Sequence, residues 1–436
     1  MKDHRAEPVK GHMILKTAAI FGPNAGGKSN FIKALSLCKH LVLAGSPADS
    51  LIEYLPFQLD SVSKRSDTTF VFHILCNGKK YEYGFSYNAE RIGKEWLHIL
   101  TKKSDIIVFN RNTDEAVFDL PYLEKLNTKE EEKQFLSFFA KATPPRQLFL
   151  HEILSRNIVD NVSDITDPIA IVQWFIDSLK VLFPDTPYKQ GGILKAISDD
   201  DLKSALESLL KYFDTGIEGV DLTDVEFDKL DISQELRQII RADLSKSGEN
   251  DTFGALRFDD NLYLITYVEN EVRAKKLQTL HKKLDEEGNE YFSFCDESDG
   301  TKRIFDYIPL ILDLIQGEKV FVIDEMERSL HPVLMKKLLS LFYKISKETN
   351  TQLIFTTHES TLLTQDLLRR DEIWLMEKEA GISSFKRLDE KFSLRFDKEL
   401  EKDYLKGCFG AIPIFAQNES IIETIRKFRN ASAHED

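Results

Sequence analysis

The sequence has few cysteines, no long apolar run and no N-terminal segment that resembles a signal peptide. Four cysteines occur among 436 residues, without any C-x-x-C pair, so we expect reduced thiols rather than disulfides or a cysteine metal site. The most apolar stretch, residues 304–315, is interrupted by Asp306, Pro309 and Asp313, which argues against a membrane-spanning helix. Residues 1–7 contain no apolar core, and we expect no signal peptide. These absences favour a cytoplasmic protein that does not enter a membrane.

Positive charge is also in deficit, with a net charge of -14 at pH 7. That balance disfavours a protein that binds nucleic acid over its whole surface. It does not exclude DNA as a partner, because binding depends on where charges cluster. Residues 273–283 form a basic stretch that is predicted to be helical. It is the candidate for DNA contact, with a solvated helix face as the alternative. Its basic residues are Arg273, Lys275, Lys276, Lys282 and Lys283.

A glycine-rich stretch near the start has the spacing of a phosphate-binding loop. Residues 22–29 read G-P-N-A-G-G-K-S, between a strand pattern at residues 15–21 and a helical pattern at residues 30–43. Glycines let backbone N–H groups surround phosphate oxygens, Lys28 would contact the β- and γ-phosphates, and Ser29 offers a hydroxyl to Mg²⁺. The helix start adds its dipole. The residues expected to hold ATP are Gly22, Pro23, Asn24, Ala25, Gly26, Gly27, Lys28, Ser29 and Asn30.

Two later strand patterns end in polar residues that suit the same site. Residues 319–325 are apolar until Asp324 and Glu325, and residues 352–358 end in His358. Asp324 is expected to help bind Mg²⁺, which takes hard oxygen ligands. Glu325 is then placed to activate a water as general base. His358 would reach the γ-phosphate and the attacking water.

A third candidate is the turn before a long apolar helix, where residues 297–302 read E-S-D-G-T-K. Ser298 and Gly300 ahead of a helix N-terminus make an anion-binding turn. This turn has no evident task at the phosphate loop of its own chain, but in a dimer it could close over the γ-phosphate held by the other subunit. A common Asp-Gly turn is the alternative.

The order of these patterns predicts an α/β fold with a mainly parallel sheet, an antiparallel β lobe and a helical lobe. In the β lobe, residues 69–75 and 81–87 are predicted to pair as a hairpin around Asn77-Gly78. Helices are predicted at residues 130–141, 169–182, 201–212 and 233–244, in a lobe with its own small core. The predicted domains are residues 1–121, which carry the phosphate loop and β lobe; 122–290, the helical lobe with a small β patch; and 291–436, the second half of the ATPase head with the tail.

Together these motifs resemble the ATP-binding-cassette (ABC) ATPases, which are P-loop NTPases. They include a Walker A loop, an S-x-G turn before a helix, a Walker B Asp-Glu and a strand-end His, in that order. Asn24 and Asn30 resemble the RecF/SMC-like branch rather than transporters. The likeness is closest to AAA-type ABC ATPases of bacterial phage defence, the AbiL/RloA-like group related to OLD and PARIS ATPases. It rests on residues 20–30, 81–85, 95–97, 298–303, 321–332, 356–360 and 404–413.

The resemblance implies that two subunits sandwich ATP, each phosphate loop facing the Ser298–Gly300 turn of the other chain. Leu330 and His331 would lie near that dimer seam. The glutamine that senses Mg²⁺ in such proteins lies between the β lobe and the helical lobe, and Gln147 is the candidate by position. Relatives begin with an extra Asn-Phe-Arg strand that has no match here, so we expect an incomplete β lobe beside the adenine.

Three functions stay open at this point. The first is a Mg²⁺-dependent ATPase whose dimerisation gates a separate effector, a nuclease or toxin, in abortive-infection defence. The second is a RecF-like DNA-repair ATPase. The third is an OLD-type nuclease, which needs an acidic metal-binding domain; residues 199–201 are acidic but fall in a polar loop. A transporter ATPase is disfavoured by the loop variant.

Overall fold

The computed structural model of the chain shows an α/β protein whose helices and strands can be traced through most of its length. It describes residues 4–9, 11–47, 50–126, 128–158, 161–186, 188–246, 253–269, 271–392, 399–413, 421–423 and 425–426.

The strands are numbered β1 to β18 in chain order. They are Arg5–Val9, His12–Leu15, Thr17–Phe21, Thr68–Cys76, Lys79–Tyr87, Ile92–Leu100, Ile106–Asn112, Val117–Asp119, Leu179–Leu182, Gly219–Val225, Phe253–Phe258, Asn261–Val268, Glu271–Lys282, Asn289–Ser293, Val320–Ile323, Gln352–Thr357, Ile373–Glu379 and Ile382–Arg387. The helices are numbered α1 to α11. They are Lys28–Leu43, Glu130–Lys141, Phe149–Ser155, Thr166–Gln173, Gln190–Ala196, Asp200–Tyr212, Gln234–Lys246, Asp299–Asp313, Pro332–Ile345, Leu388–Lys391 and Leu400–Leu405.

The central sheet has the strand order β18-β17-β3-β16-β15-β9. Strands β9, β15, β16, β3 and β17 run parallel, and β18 pairs antiparallel at one edge. β3, β15 and β16 are short apolar runs with mostly buried side chains, the pattern of parallel strands covered on both faces. The predicted mainly parallel sheet is confirmed.

Strand β9 is a part of this sheet that the sequence pattern did not predict. The predicted helix over residues 169–182 ends early: α4 stops at Gln173, a π-helical turn follows at Trp174–Ser178, and β9 then pairs with β15. Four residues, L-K-V-L, are too few for periodicity to separate a strand from a helix end. Pairing with a neighbouring strand, which is distant in sequence, decides the structure.

The β lobe is an antiparallel sheet in the order β4-β5-β6-β7-β8. Its first hairpin is confirmed, since Cys76 pairs with Lys79 across a two-residue turn. Asn77 and Gly78 in that turn have φ values of 49° and 71°, as a type I′ turn requires. A second antiparallel sheet, β10-β13-β12-β11 with β14 beside β13, lies later in the chain.

The described residues between 122 and 290 belong to three hydrophobic cores, two of which they share with the rest of the chain. Helices α2, α6 and α7 lie at or within a few residues of their predicted positions. However, α2, α3 and α4 pack in one core with the β lobe and α1, and α5 and α6 pack with the central sheet and α8. A smaller core joins α7 to β12 and β13. Helices α2 to α6 therefore pack with the rest of the chain rather than in a separate lobe, and the domain boundaries stay a prediction.

The basic stretch at residues 273–283 is a strand rather than the predicted helix. It forms β13, which pairs with β10 on one side and with β12 and β14 on the other, so pairing outweighs the local charge pattern. Several of its cations have acidic neighbours: Arg273 lies 3.0 Å from Glu269, and Lys283 lies 3.3 Å from Glu290. Within the described part of the chain, no helix is both long and apolar enough to cross a bilayer.

A buried carboxylate links α4 to the β lobe. Asp167, in the first turn of α4, accepts hydrogen bonds from Lys79 Nζ at 2.6 Å, from Tyr81 Oη at 2.5 Å and from Tyr122 Oη. Burial raises the pKa of Asp167, but these hydrogen bonds outweigh it and hold the pKa below its usual value. The ion pair therefore stabilises the folded state only while the carboxyl is ionised.

We expect Asp167→Ala to lower the free energy of unfolding by about 3 kcal/mol at neutral pH, because buried donors lose their acceptor. Since the folded pKa lies below the unfolded one, the contribution of Asp167 is complete above the unfolded pKa and is lost as pH falls through the folded value. Urea unfolding at pH 7 and below about pH 4 measures it. Asp167→Asn, which keeps one acceptor oxygen, is the control and should lose less. A wild-type-to-Ala difference that stays constant with pH would contradict this assignment.

Candidate active site

The glycine-rich loop connects the end of β3 to the start of α1. Its backbone is tightly folded: Gly26 N–H donates to Pro23 O at 3.1 Å, and Gly27, the residue before the helix, has a φ of 106°. A Cβ at Gly22 would lie 2.8 Å from Met376 O in β17, so a larger residue would not fit there. Because Gly27 has no side chain to cap α1, the helix N–H groups are left for an anion.

Lys28 is a buried cation at this helix start, with 5% of its surface exposed. Its Nζ donates to Gly22 O at 2.8 Å and to Pro23 O at 3.0 Å, so it lies across the mouth of the loop. Burial lowers the pKa of Lys28, and three nearby carboxylates oppose that shift: Glu327, Asp324 and Glu325. The loop therefore faces an acidic cluster, while the hydrogen bonds of its cation within the described residues go to backbone oxygens.

Asp324 and Glu325 follow β15 directly and are held by the next strand, β16. Thr356 Oγ1 donates to Asp324 Oδ1 at 2.6 Å and accepts from Glu325 N–H at 2.8 Å, while Met326 N–H donates to Thr356 O at 3.1 Å. Asp324 is buried. Glu325 has a φ of 46°, an uncommon conformation for a residue with a side chain. The chain thus turns sharply after the strand, with both acids at its carboxyl end.

His358 is the first residue after β16 and lies in the same electrostatic environment. Burial and the positive charge of Lys28 lower the pKa of His358, against the opposing effect of two nearby carboxylates. The lowered pKa favours a neutral imidazole at neutral pH, with one nitrogen able to donate and the other to accept.

Two residues at the site were missed by the sequence patterns. Thr356 makes the contacts with Asp324 and Glu325 described above. Glu327 accepts the His358 backbone N–H on Oε1 at 2.6 Å, and burial raises its pKa. The sequence contains a signal for each: a threonine precedes the strand-end His, and a third acid follows in D-E-M-E. Neither pattern predicts which group the side chain contacts.

The Ser298–Gly300 turn begins α8 and contacts its own helix and the loop after β15. Ser298 Oγ accepts Thr301 N–H at 3.1 Å as the helix N-cap, and a Cβ at Gly300 would lie 3.0 Å from Ser329 O. The turn therefore packs on the loop that follows Asp324 and Glu325 in its own chain. Nearby, Leu330 is buried in the main core, and His331 caps α9, its Nδ1 accepting Val333 N–H at 3.3 Å.

Gln147, the predicted Mg²⁺ sensor, is not brought to the site. Its Nε2 donates to Ser46 O at 2.5 Å, and its Oε1 accepts Ser46 N–H at 3.1 Å. Ser46 follows the end of α1, whereas Lys28 begins that helix, and sixteen residues of α-helix span about 24 Å. The prediction is wrong because position between two lobes does not fix which end of α1 a loop residue meets.

The tail motif at residues 404–413 packs beside the glycine-rich loop's own strand. Tyr404 Oη donates to Ala411 O at 3.1 Å, and its ring lies 6.1 Å from the Phe21 ring at the end of β3. Gly410 has a φ of 70°, and a Cβ there would lie 2.6 Å from Glu377 Oε1. This motif therefore supports the sheet that carries the loop.

The donor set fits a nucleotide better than a free-standing metal site. No group of three or more His, Cys, Asp or Glu residues that could hold a metal ion occurs among the described residues. Mg²⁺ in nucleotide sites takes one or two protein oxygens and completes its shell with phosphates and water. Ser29 and Asp324, with a glycine loop and a desolvated lysine beside them, suit that arrangement.

The chain matches known proteins through one family model. The model described as "AAA domain, putative AbiEii toxin, Type IV TA system" matches residues 18–364. A search of curated proteins gives no match.

Solved structures that resemble the chain include three SMC heads. One is bound to the C-winged helix domain of ScpA (12% identity, TM-score 0.39, 88% of this chain and 94% of that one). Another is from Thermotoga maritima (13%, 0.33, 86% and 92%). A third, from Pyrococcus furiosus, has an extended coiled coil and is bound to the C-terminal domain of ScpA (14%, 0.36, 87% and 93%). At these TM-scores the assignment rests on the family match. The chain is a P-loop ATPase and belongs to this AAA-domain family.

Proposed function

We propose that this chain is a Mg²⁺-dependent ATPase that closes as a dimer around ATP and thereby gates a separate effector in cytoplasmic anti-phage defence. One observation carries the proposal. Lys28, Asp324, Glu325 and His358 interact electrostatically, whereas the contacts found for the anion-binding turn at Ser298 are with Thr301 and Ser329 of its own chain. A complete site of this kind needs a second copy.

Each residue then has one role. The backbone of residues 22–30 surrounds the phosphates, and Lys28 neutralises charge on the β- and γ-phosphates. Ser29 and Asp324 supply oxygen ligands to Mg²⁺, which would neutralise charge that develops on the phosphates. Glu325 accepts a proton from the attacking water, and neutral His358 donates a hydrogen bond to the γ-phosphate.

The second copy would supply the α8 N-terminus. Ser298 Oγ and the backbone N–H groups of Asp299 and Gly300, at the start of α8, suit a γ-phosphate. The turn lies against Ser329, in the loop after Asp324 and Glu325 of its own chain. Closing of one ATP site would therefore be transmitted to the catalytic loop of the second ATP site. Higher oligomers built from such dimers are compatible with the same contacts.

The defence setting is supported by two observations. The family description names a toxin and a type IV toxin–antitoxin system, and the resemblance of the sequence motifs is to AbiL/RloA-like and PARIS-type ATPases. An effector, a nuclease or toxin, would then respond to ATP-driven closure. A RecF-like role on DNA is less favoured, because cations of the basic stretch in β13 are paired with acids.

We expect Glu325→Gln to lower kcat by about 10²-fold or more, because the general base is lost while the ligands of ATP remain. Phosphate release measures hydrolysis, and light scattering during gel filtration with ATP and Mg²⁺ measures association. The variant should accumulate as an ATP-dependent dimer, whereas Lys28→Ala, which loses the phosphate contact, should stay unassociated. Hydrolysis at the wild-type rate by Glu325→Gln would contradict the assigned role.

In cells that carry the chain with its neighbouring genes, we expect protection against some phages in a plaque assay. Lys28→Ala and Glu325→Gln should abolish protection, because each blocks the ATP cycle at a different step. Glu348→Ala, an exposed acid beyond α9, is the matched control and should protect fully. Equal protection by all variants would exclude an ATP-gated effector, while ATP hydrolysis stimulated by DNA with steep salt dependence would favour the repair function.

A further inference from the structure

Glu327 is the acid of the site that no role described above uses. It lies three residues beyond Asp324, and its Oε1 accepts the backbone N–H of His358 at 2.6 Å. Its Oε2 is shielded from solvent. Among the carboxylates that act on Lys28, Glu327 has the largest effect. Glu327 is half-buried, with one carboxylate oxygen shielded from solvent and the other bonded to a backbone N–H, which distinguishes it from a freely solvated surface acid.

The contact between Glu327 and His358 is the last in a series that joins the loop after β15 to the end of β16. The bonds from Thr356 fix Asp324, Glu325 and Met326 against the strand, as described above. Glu327 extends the series by one residue, past the point where β16 and β3 stop pairing at Thr357. Beyond the end of the strand pairing, the Glu327 carboxylate therefore takes the place of a backbone carbonyl as the acceptor for His358 N–H.

We propose that Glu327 is a positioning residue: by accepting the His358 backbone N–H, it sets the imidazole over the phosphate site. The inference rests on the proposed role of His358. Under this proposal the loop that carries the general base Glu325 also holds His358, so that the general base and the histidine move together. A positioned histidine keeps its side chain aimed at the γ-phosphate without an ordering step at each turnover.

The test compares Glu327→Ala with Glu327→Gln, whose amide oxygen can accept the same N–H. We expect Glu327→Ala to lower kcat by up to about 10²-fold with little change in the affinity for a fluorescent ATP analogue, since misplacement of a catalytic group costs this much. Glu327→Gln should keep most of kcat. If Glu327→Ala has a lowered melting temperature, Glu327→Met replaces it, because methionine fills the volume of the glutamate side chain without supplying an acceptor. Glu348→Ala is the control.

Two further measurements separate positioning from an independent effect. Added to His358→Ala, Glu327→Ala should lower kcat no further, because its effect acts through the histidine. An equal additional loss in that background, or a Gln variant as impaired as the Ala variant, would overturn the inference.

Hydrogen–deuterium exchange of the peptide that contains His358 tests the contact without any activity. Exchange should rise in Glu327→Ala and stay near wild type in Glu327→Gln. Unchanged exchange in Glu327→Ala would overturn the inference even in an active ATPase. Raised exchange in a chain that hydrolyses no ATP would support the contact and count against the proposed function instead.

Discussion

The site depends on the parallel register of β3, β16 and β15. Thr357 pairs with Phe21, and Phe355 pairs with Ile323, so the three strands end along one edge of the central sheet. Segments about 300 residues apart in the chain thereby deliver the glycine-rich loop, the Asp-Glu pair and the histidine to one place. Ligands bind at such carboxyl ends in α/β sheets generally. Without this register none of the motifs would have a partner.

The electrostatics of the site follow from that placement. A desolvated lysine faces several carboxylates, and its own hydrogen bonds go to the loop backbone. Phosphates would bring further negative charge, which Lys28, the α1 N-terminus and Mg²⁺ would offset. Thr356 binds Asp324 and the Glu325 backbone with one hydroxyl, so the ligand proposed for Mg²⁺ and the proposed general base share one support. This coupling explains why a threonine without evident chemistry lies at the centre of the cluster.

Much of the fold could be predicted from the sequence, because strong local patterns and the global structure agree there. The glycine-rich loop, the Asn77-Gly78 hairpin and the strand that precedes Asp324 are each determined by their local sequence, which contacts with distant segments do not override. β9 and β13 could not be predicted, since pairing decided both: β9 pairs with β15, which is distant in the chain, and β13 pairs with β10, β12 and β14. For the same reason Gln147 was assigned to the site from chain order, while Glu327 was missed: its contact with His358 exists only after β15 and β16 lie side by side.

The claim that two chains complete each site is tested most directly by mixing two inactive variants. One copy carries Lys28→Ala, and the other carries Ser298→Arg, which blocks the turn. Each alone should hydrolyse little ATP, whereas an equal mixture should recover up to about half of wild-type activity, because each mixed dimer contains one intact site out of two. A mixture that stays inactive although mixed dimers form, or a Ser298→Arg protein that is fully active alone, would contradict the account.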